Sequence, residues 1–140
     1  MAAYEIATLL VEAFNDADWD AFRAGLKQDA VYVESGTGRR VEGADAYVDL
    51  CRAWKEAFPD VRGVVHRSLE STDTVAQEVT WSGTHTGPLP TPDGVIPASG
   101  QRVSVDATLW VTVRDGGAAE VHHHLDVMAL MAQIGALATA

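Results

Sequence analysis

Apolar residues recur mainly at three- and four-residue spacing up to Phe58, apart from a short alternating stretch at Ala30–Glu34, and mainly alternate with polar ones from Val61 to Leu125. Ile6, Leu9, Leu10, Ala13 and Phe14 make one apolar stripe, with Glu5 and Glu12 outside it, which predicts an amphipathic helix over residues 3–15. Asn15 to Asp18 is a turn, and Asp18 can cap a second short helix from Trp19 to Leu26. Ala30 to Glu34 alternates as a strand before a Ser35–Gly38 loop. Ala46, Tyr47, Leu50, Trp54 and Phe58 then define a helix over Gly43–Phe58, which Pro59 ends. Strands are predicted at Val61–Leu69, Thr74–Thr86, Arg102–Arg114 and Ala118–Leu125, with turns at Ser71–Asp73 and Asp115–Gly117. A Pro/Gly-rich loop spans Gly87–Gly100, shaped for a lid or an oligomer contact, and a closing helix runs from Val127 to about Ala138. The order is α+β in a single domain over residues 1–140: helices first, then a curved antiparallel sheet. Helices packed on one face of such a sheet make a cone with a hollow interior.

Composition narrows the partners. A net charge of −10 on 140 residues argues against nucleic acid and against anionic membrane surfaces. No apolar run approaches the roughly 20 residues needed to span a bilayer. The start, MAAYEIATLL, carries no basic segment before its apolar residues, so no secretory signal is expected. Cys51, the single cysteine, cannot form an intramolecular disulfide and suits a reducing cytoplasm; within its helix it reads as a small core residue.

The densest chemistry lies in Glu120–Gly135, EVHHHLDVMALMAQIG. On a strand Glu120, His122, His124 and Asp126 share one side, whereas Val121, His123 and Leu125 share the other. The first set is a ladder of titratable groups roughly 6–7 Å apart per rung. The expectation is that this ladder lines the cavity, with Asp126 at its working end and His123 turned away as a structural or interface residue. Asp126 has two readings. In an apolar cavity its carboxylate would be raised toward the range of a general acid/base; immediately before Val127 it would instead cap the closing helix. His122 and His124 are either proton partners of Asp126 or a satisfied core pair. A metal reading, with Glu120 or Asp126 completing His122 and His124, rests on a His-x-His alone, and no other metal-site motif accompanies it.

Four stretches resemble the SnoaL-like polyketide cyclases of the NTF2-like superfamily: Ala13–Trp19; Ala57–Asp60; Trp81–Leu89 followed by Ile96–Gly100; and Glu120-x5-Asp126 with Leu130-x2-Gln133-Ile134-Gly135. The resemblance implies a cone-shaped α+β barrel, an internal pocket, no metal or organic cofactor, and often a homodimer or homotetramer. It also implies acid-base chemistry at an aspartate of the final strand, a position that Asp126 matches. Histidines at 122 and 124 depart from the bulky aromatic residues expected there.

His85, beside Gly83 and Gly87, is in phase with Val75, Val79 and Trp81 and is a further candidate at the cavity mouth. Phe14, Tyr32, Trp54, Trp81 and Trp110 are candidates for an aromatic wall around a hydrophobic substrate. Asp106 is either a second carboxylate within reach or part of a solvated strand face. The leading expectation is cofactor-independent acid-base cyclisation, by intramolecular aldol closure, or isomerisation of a polyketide-like substrate. Asp126 would be the acid/base, with His124, His122 and His85 as partners. The alternatives are a non-catalytic module binding a hydrophobic small molecule, and a hydratase, dehydratase or epoxide hydrolase on the same fold.

Overall fold

The apolar stripe of the first helix is laid across a sheet. The structure, a computed structural model, describes residues 2–137. Its elements are α1 (Ala3–Asn15), α2 (Trp19–Ala24), β1 (Leu26–Ser35), β2 (Arg39–Glu42), α3 (Ala44–Ala57), β3 (Arg62–Ser71), β4 (Thr74–Thr84), β5 (Leu89–Thr91), β6 (Gly94–Ile96), β7 (Arg102–Arg114), β8 (Gly117–Leu125) and α4 (Val127–Gln133). The predicted closing helix is shorter than expected, and its far end at Ala138 lies outside the described residues. Two elements go beyond the pattern. β2 follows the Gly36–Gly38 turn, and β5 and β6 form a small hairpin inside the Pro/Gly-rich loop.

The expected antiparallel cone is corrected by the strand pairing. The main sheet has the order β2-β1-β8-β7-β4-β3 and is open, with β2 and β3 as its two edges. It is also mixed, because β1 runs parallel to β8 and pairs Tyr32 with Val121 and Glu34 with His123. Alternation along a strand reports which face is buried, not which distant strand lies beside it. The parallel partnership of β1 with a strand nearly a hundred residues away was therefore beyond the pattern.

Helices α1 and α3 cover one face of the sheet, burying Ile6, Leu10, Phe14, Tyr47 and Val48 against Val75, Val79, Leu109, Val111 and Val121. A second cluster forms where Phe58, Leu89, Val103 and Val105 meet Leu130 and Ile134 of the last helical turn. Polar clamps join these layers. Asn15 Nδ2 donates to the Gly63 carbonyl and its Oδ1 accepts from the Gly63 amide, at 2.9 and 2.7 Å. Asp60 accepts from the Thr84 amide at 2.6 Å, and these bonds hold its carboxyl below the usual range. Gln133 makes the same two-way grip on the backbone of Ser104, fixing α4 to β7. Asp115 and Gly116 both have positive φ, +52° and +80°, as a type I′ hairpin turn requires. At Gly63 a Cβ would collide with the Trp81 ring, so the missing side chain is what lets that indole lie across β3.

Candidate functional site

Between the helical layer and the sheet lies an interior cavity of about 90 Å³. Phe14, Trp54 and Phe58 from the helical layer, and Val105, Leu109 and Val121 from the strands, make its wall almost wholly carbon. Polar atoms enter this space at few points: Tyr32, Tyr47, Gln77, Trp81 and His123.

His123 is the polar exception on the apolar side of β8, and it is buried at 8% exposure between Trp81 and Tyr32. Trp81 Nε1 donates to His123 Nε2 at 3.1 Å. An indole N–H can only donate, so Nε2 is the unprotonated nitrogen and the proton of the neutral ring sits on Nδ1. Nδ1–H then donates to the Tyr32 hydroxyl at 2.7 Å, and Tyr32 in turn donates to Glu34 Oε2 at 2.5 Å. Glu34, fully buried, receives the Thr37 hydroxyl at 2.7 Å and the Arg39 guanidinium at 3.3 Å on its other oxygen. The result is one directed chain from the cavity wall to an ion pair: Trp81, His123, Tyr32, Glu34, Arg39.

The elements explain why these groups meet. Tyr32 and Glu34 occupy the inward parity of β1, and the parallel register sets Glu34 beside His123. The Gly36–Gly38 turn brings Arg39 back over Glu34. Burial pushes His123 down to about 4, with His124 as a smaller like-charge contribution. Burial, and then the Glu34 charge, pushes the Tyr32 phenol well above its ordinary range. The resting site is thus a neutral imidazole, a neutral phenol and a paired carboxylate. Desolvating a charge and several polar groups costs several kcal/mol before pairing recovers it, and apolar side chains of similar size would fill a core at lower cost.

The expected ladder lies on the opposite face. His122, His124 and Asp126 are exposed, and the cavity takes His123 from β8 instead. The physical reason is that an interior cavity is bounded by the apolar side of a strand; the titratable side is the solvated one. The structure does bring His124, Asp126 and Asp106 together, but at an open groove on the outer face beside His66 and Glu78. There the Ser35 hydroxyl pairs with His124 Nδ1 at 2.8 Å, and Asp106 accepts from Thr80 at 2.8 Å. Asp126 accepts from the Ala129 amide at 3.0 Å as the N-cap of α4. Its replacement by alanine is expected to cost about 1 kcal/mol in chemical denaturation, the loss of an N-cap, whereas asparagine costs little.

His85 is buried behind Phe58, stacked on that ring at 5.1 Å, and does not reach the cavity wall. Its Nδ1 accepts from the Ser99 amide at 3.1 Å, and burial lowers its pKa. Of the expected aromatic wall, Phe14, Tyr32, Trp54 and Trp81 line the cavity, while Trp110 points outward at 45% exposure. Sequence reasoning missed Glu34, Arg39, Tyr47 and Gln77. For Glu34 and Gln77 the signal was present: each is a polar residue inside an apolar-parity run, Ala30–Tyr32–Glu34 and Val75–Gln77–Val79.

Helices laid over one side of an α+β sheet enclose an apolar chamber with a hydrogen-bonded polar chain in its wall, an arrangement consistent with a small-molecule pocket. The chain belongs to the SnoaL-like polyketide cyclase family, whose model matches residues 4–134. Among solved structures it is similar to a proposed SnoaL-like polyketide cyclase from Jannaschia sp. CCS1, with 24% identity and a TM-score of 0.84 over 97% of this chain and 93% of that one. It is also similar to AclR, a proposed hydroxylase from Streptomyces galilaeus, with 25% identity and a TM-score of 0.81 over 99% and 83%. An epoxide hydrolase of the LEH-like kind from M. tuberculosis follows, with 20% identity and a TM-score of 0.73 over 94% and 88%. No curated protein sequence matches the chain significantly. Among the described residues no helix is long and apolar enough to cross a membrane.

Proposed function

We propose that the protein is an acid-base enzyme acting on a small, largely apolar carbonyl compound inside the cavity, with His123 as the proton-transfer group. The observation that carries this reading is the directed hydrogen-bond chain from Trp81 through His123 and Tyr32 to the Glu34–Arg39 pair. His123 lines the chamber, and its Nε2 accepts the Trp81 indole N–H at rest.

A carbonyl oxygen seated in the chamber takes over the indole N–H, which frees Nε2. Nε2 then removes a proton from the carbon α to that carbonyl: the C–H bond breaks, the N–H bond forms, and the electron pair moves into an enolate. The imidazolium keeps its Nδ1–H bond to Tyr32, which hands on to Glu34, and the burial that disfavours this charge makes it a ready proton donor for the return step. In cyclisation the enolate carbon attacks a second carbonyl of the same molecule, and the resulting alkoxide recovers the proton from Nε2. In isomerisation the same proton returns to a different carbon. Neither route consumes a co-reactant.

A reading as a non-catalytic binding module is favoured by one observation: at rest both nitrogens of His123 are engaged. Deuterium uptake separates the two. Incorporation at the α carbon of cyclohexanone, a single-ring ketone, in D₂O, followed by proton NMR, is expected to be accelerated by the wild-type protein. The rate should fall to background in His123→Gln and persist in Asp126→Asn. Equal rates with and without protein favour the binding module, and loss in Asp126→Asn alone moves the chemistry to the outer face.

A further inference from the structure

Gln77 is the group in the cavity that nothing so far accounts for. It stands in the first half of β4, opposite Leu109 of β7 and Ser68 of β3, with Val75 and Val79 on either side on the same face of the strand. It is 1% exposed and lines the cavity, yet among the described residues no group hydrogen-bonds either its Oε1 or its Nε2. A primary amide offers two donors and two acceptor sites. Leaving such a group unpaired in an apolar interior is among the more destabilising arrangements a core can contain, and native cores rarely keep one without a use for it. A leucine or methionine would fill the same volume with no polar atom to satisfy.

We infer that Gln77 anchors the ligand, and that the ligand presents a polar edge with a donor and an acceptor side by side on an otherwise apolar ring. A lactam or a vinylogous acid has that edge; an isolated ketone or ether does not. The amide plane accepts through Oε1 and donates through Nε2 in one bidentate contact, which fixes the orientation of the ring as well as its depth. The remaining wall is carbon, so the rest of the molecule is recognised by shape alone. At about 90 Å³ the cavity as it stands holds a fragment of single-ring size, so larger substrates require the helical layer to yield. This assignment deepens the proposed function by naming a substrate class for the same chamber, but its test is a binding measurement that proceeds whether or not His123 transfers a proton.

The probes are 2-pyridone, which carries an adjacent N–H and C=O, and benzene, which matches its ring and lacks the edge. Dissociation constants by ligand-observed NMR are expected to favour 2-pyridone by about tenfold or more in the wild-type protein, and the order should reverse in Gln77→Met. Gln77→Met should at the same time melt at a higher temperature than wild type without ligand, because an unpaired amide has been removed; that rise also shows that the variant folds. Three results overturn the assignment: benzene binding as tightly as 2-pyridone, no binding of either, or a preference unchanged in Gln77→Met. The first is also what a Gln77 satisfied by bound water alone predicts. Failure of deuterium exchange alongside lactam selectivity would remove the catalytic reading and leave this one standing.

Discussion

Replacing Glu34 by glutamine is expected to destabilise the fold by about 2–3 kcal/mol, although the side chain hardly changes in size. The carboxylate now accepts from Tyr32, Thr37 and Arg39 and donates to none of them. An amide cannot keep all three. With its NH₂ toward Tyr32, the phenol must turn and donate to His123 Nδ1. The histidine proton is then forced onto Nε2, where it meets the indole N–H of Trp81. With its NH₂ turned the other way, it faces the Arg39 guanidinium instead. Either arrangement sets donor against donor in a buried site. The Arg39 side chain is 17% exposed, so water softens the second conflict and the loss falls at or just below the roughly 3–5 kcal/mol of a broken buried ion pair. Thermal melts should fall by roughly 5–10 °C for a domain of this size. An unchanged melting temperature would mean that the carboxylate does not anchor the chain.

The second large effect is a pH dependence. His123 is pushed down to about 4 in the folded protein from an ordinary 6.5. Between those values the unfolded chain binds the proton and the folded one does not, so acidification favours unfolding. Its contribution is fully present above about 6.5 and is lost as pH falls through about 4, at roughly 1.4 kcal/mol per unit, about 3 kcal/mol in all. Carboxylates and His85 add slopes of their own, so the informative quantity is the difference between wild type and His123→Gln. The glutamine keeps a donor and an acceptor but does not titrate. Urea denaturation across pH 4–7 should show the wild-type curve falling more steeply by that amount. Parallel curves would place His123 in contact with water.

Much of the fold was legible because burial leaves a period in the sequence. The helix at 3–15, the end of α3 at Pro59, the long β7 and the Asp115–Gly116 turn all follow from local rules. The parallel pairing of β1 with β8 was not legible, since no local rule connects Tyr32 with Val121. The short β2 and the β5–β6 hairpin were hidden for a different reason: three or four residues are too few to show alternation.

The side of β8 that faces the chamber is the opposite of the one expected. A run of histidines and acids drew the eye to the even positions of β8, yet from that strand the chamber takes Val121, His123 and Leu125. Tyr32, Trp54, Trp81 and Phe14 were legible as wall residues because large aromatics on an apolar stripe face inward. His123 was visible as the one break in an apolar face and was read as structure; the partner that changes its meaning, Glu34, sits ninety residues earlier. The motifs that carry the family resemblance prove to be largely joints of the fold. Asn15 grips Gly63, Asp60 grips Thr84, Gln133 grips Ser104 and Asp126 caps α4.

The proposed site requires His123 to be a neutral ring with its proton on Nδ1, wired inward rather than solvated. Nitrogen-15 NMR of the histidine side chains, recorded from pH 7 down to 4, tests this most directly. The predicted spectrum has His123 in the Nδ1–H form throughout, with its protonation beginning only near pH 4. A His123 that carries its proton on Nε2, or that titrates near 6.5, would contradict the relay and the acid-base site built on it.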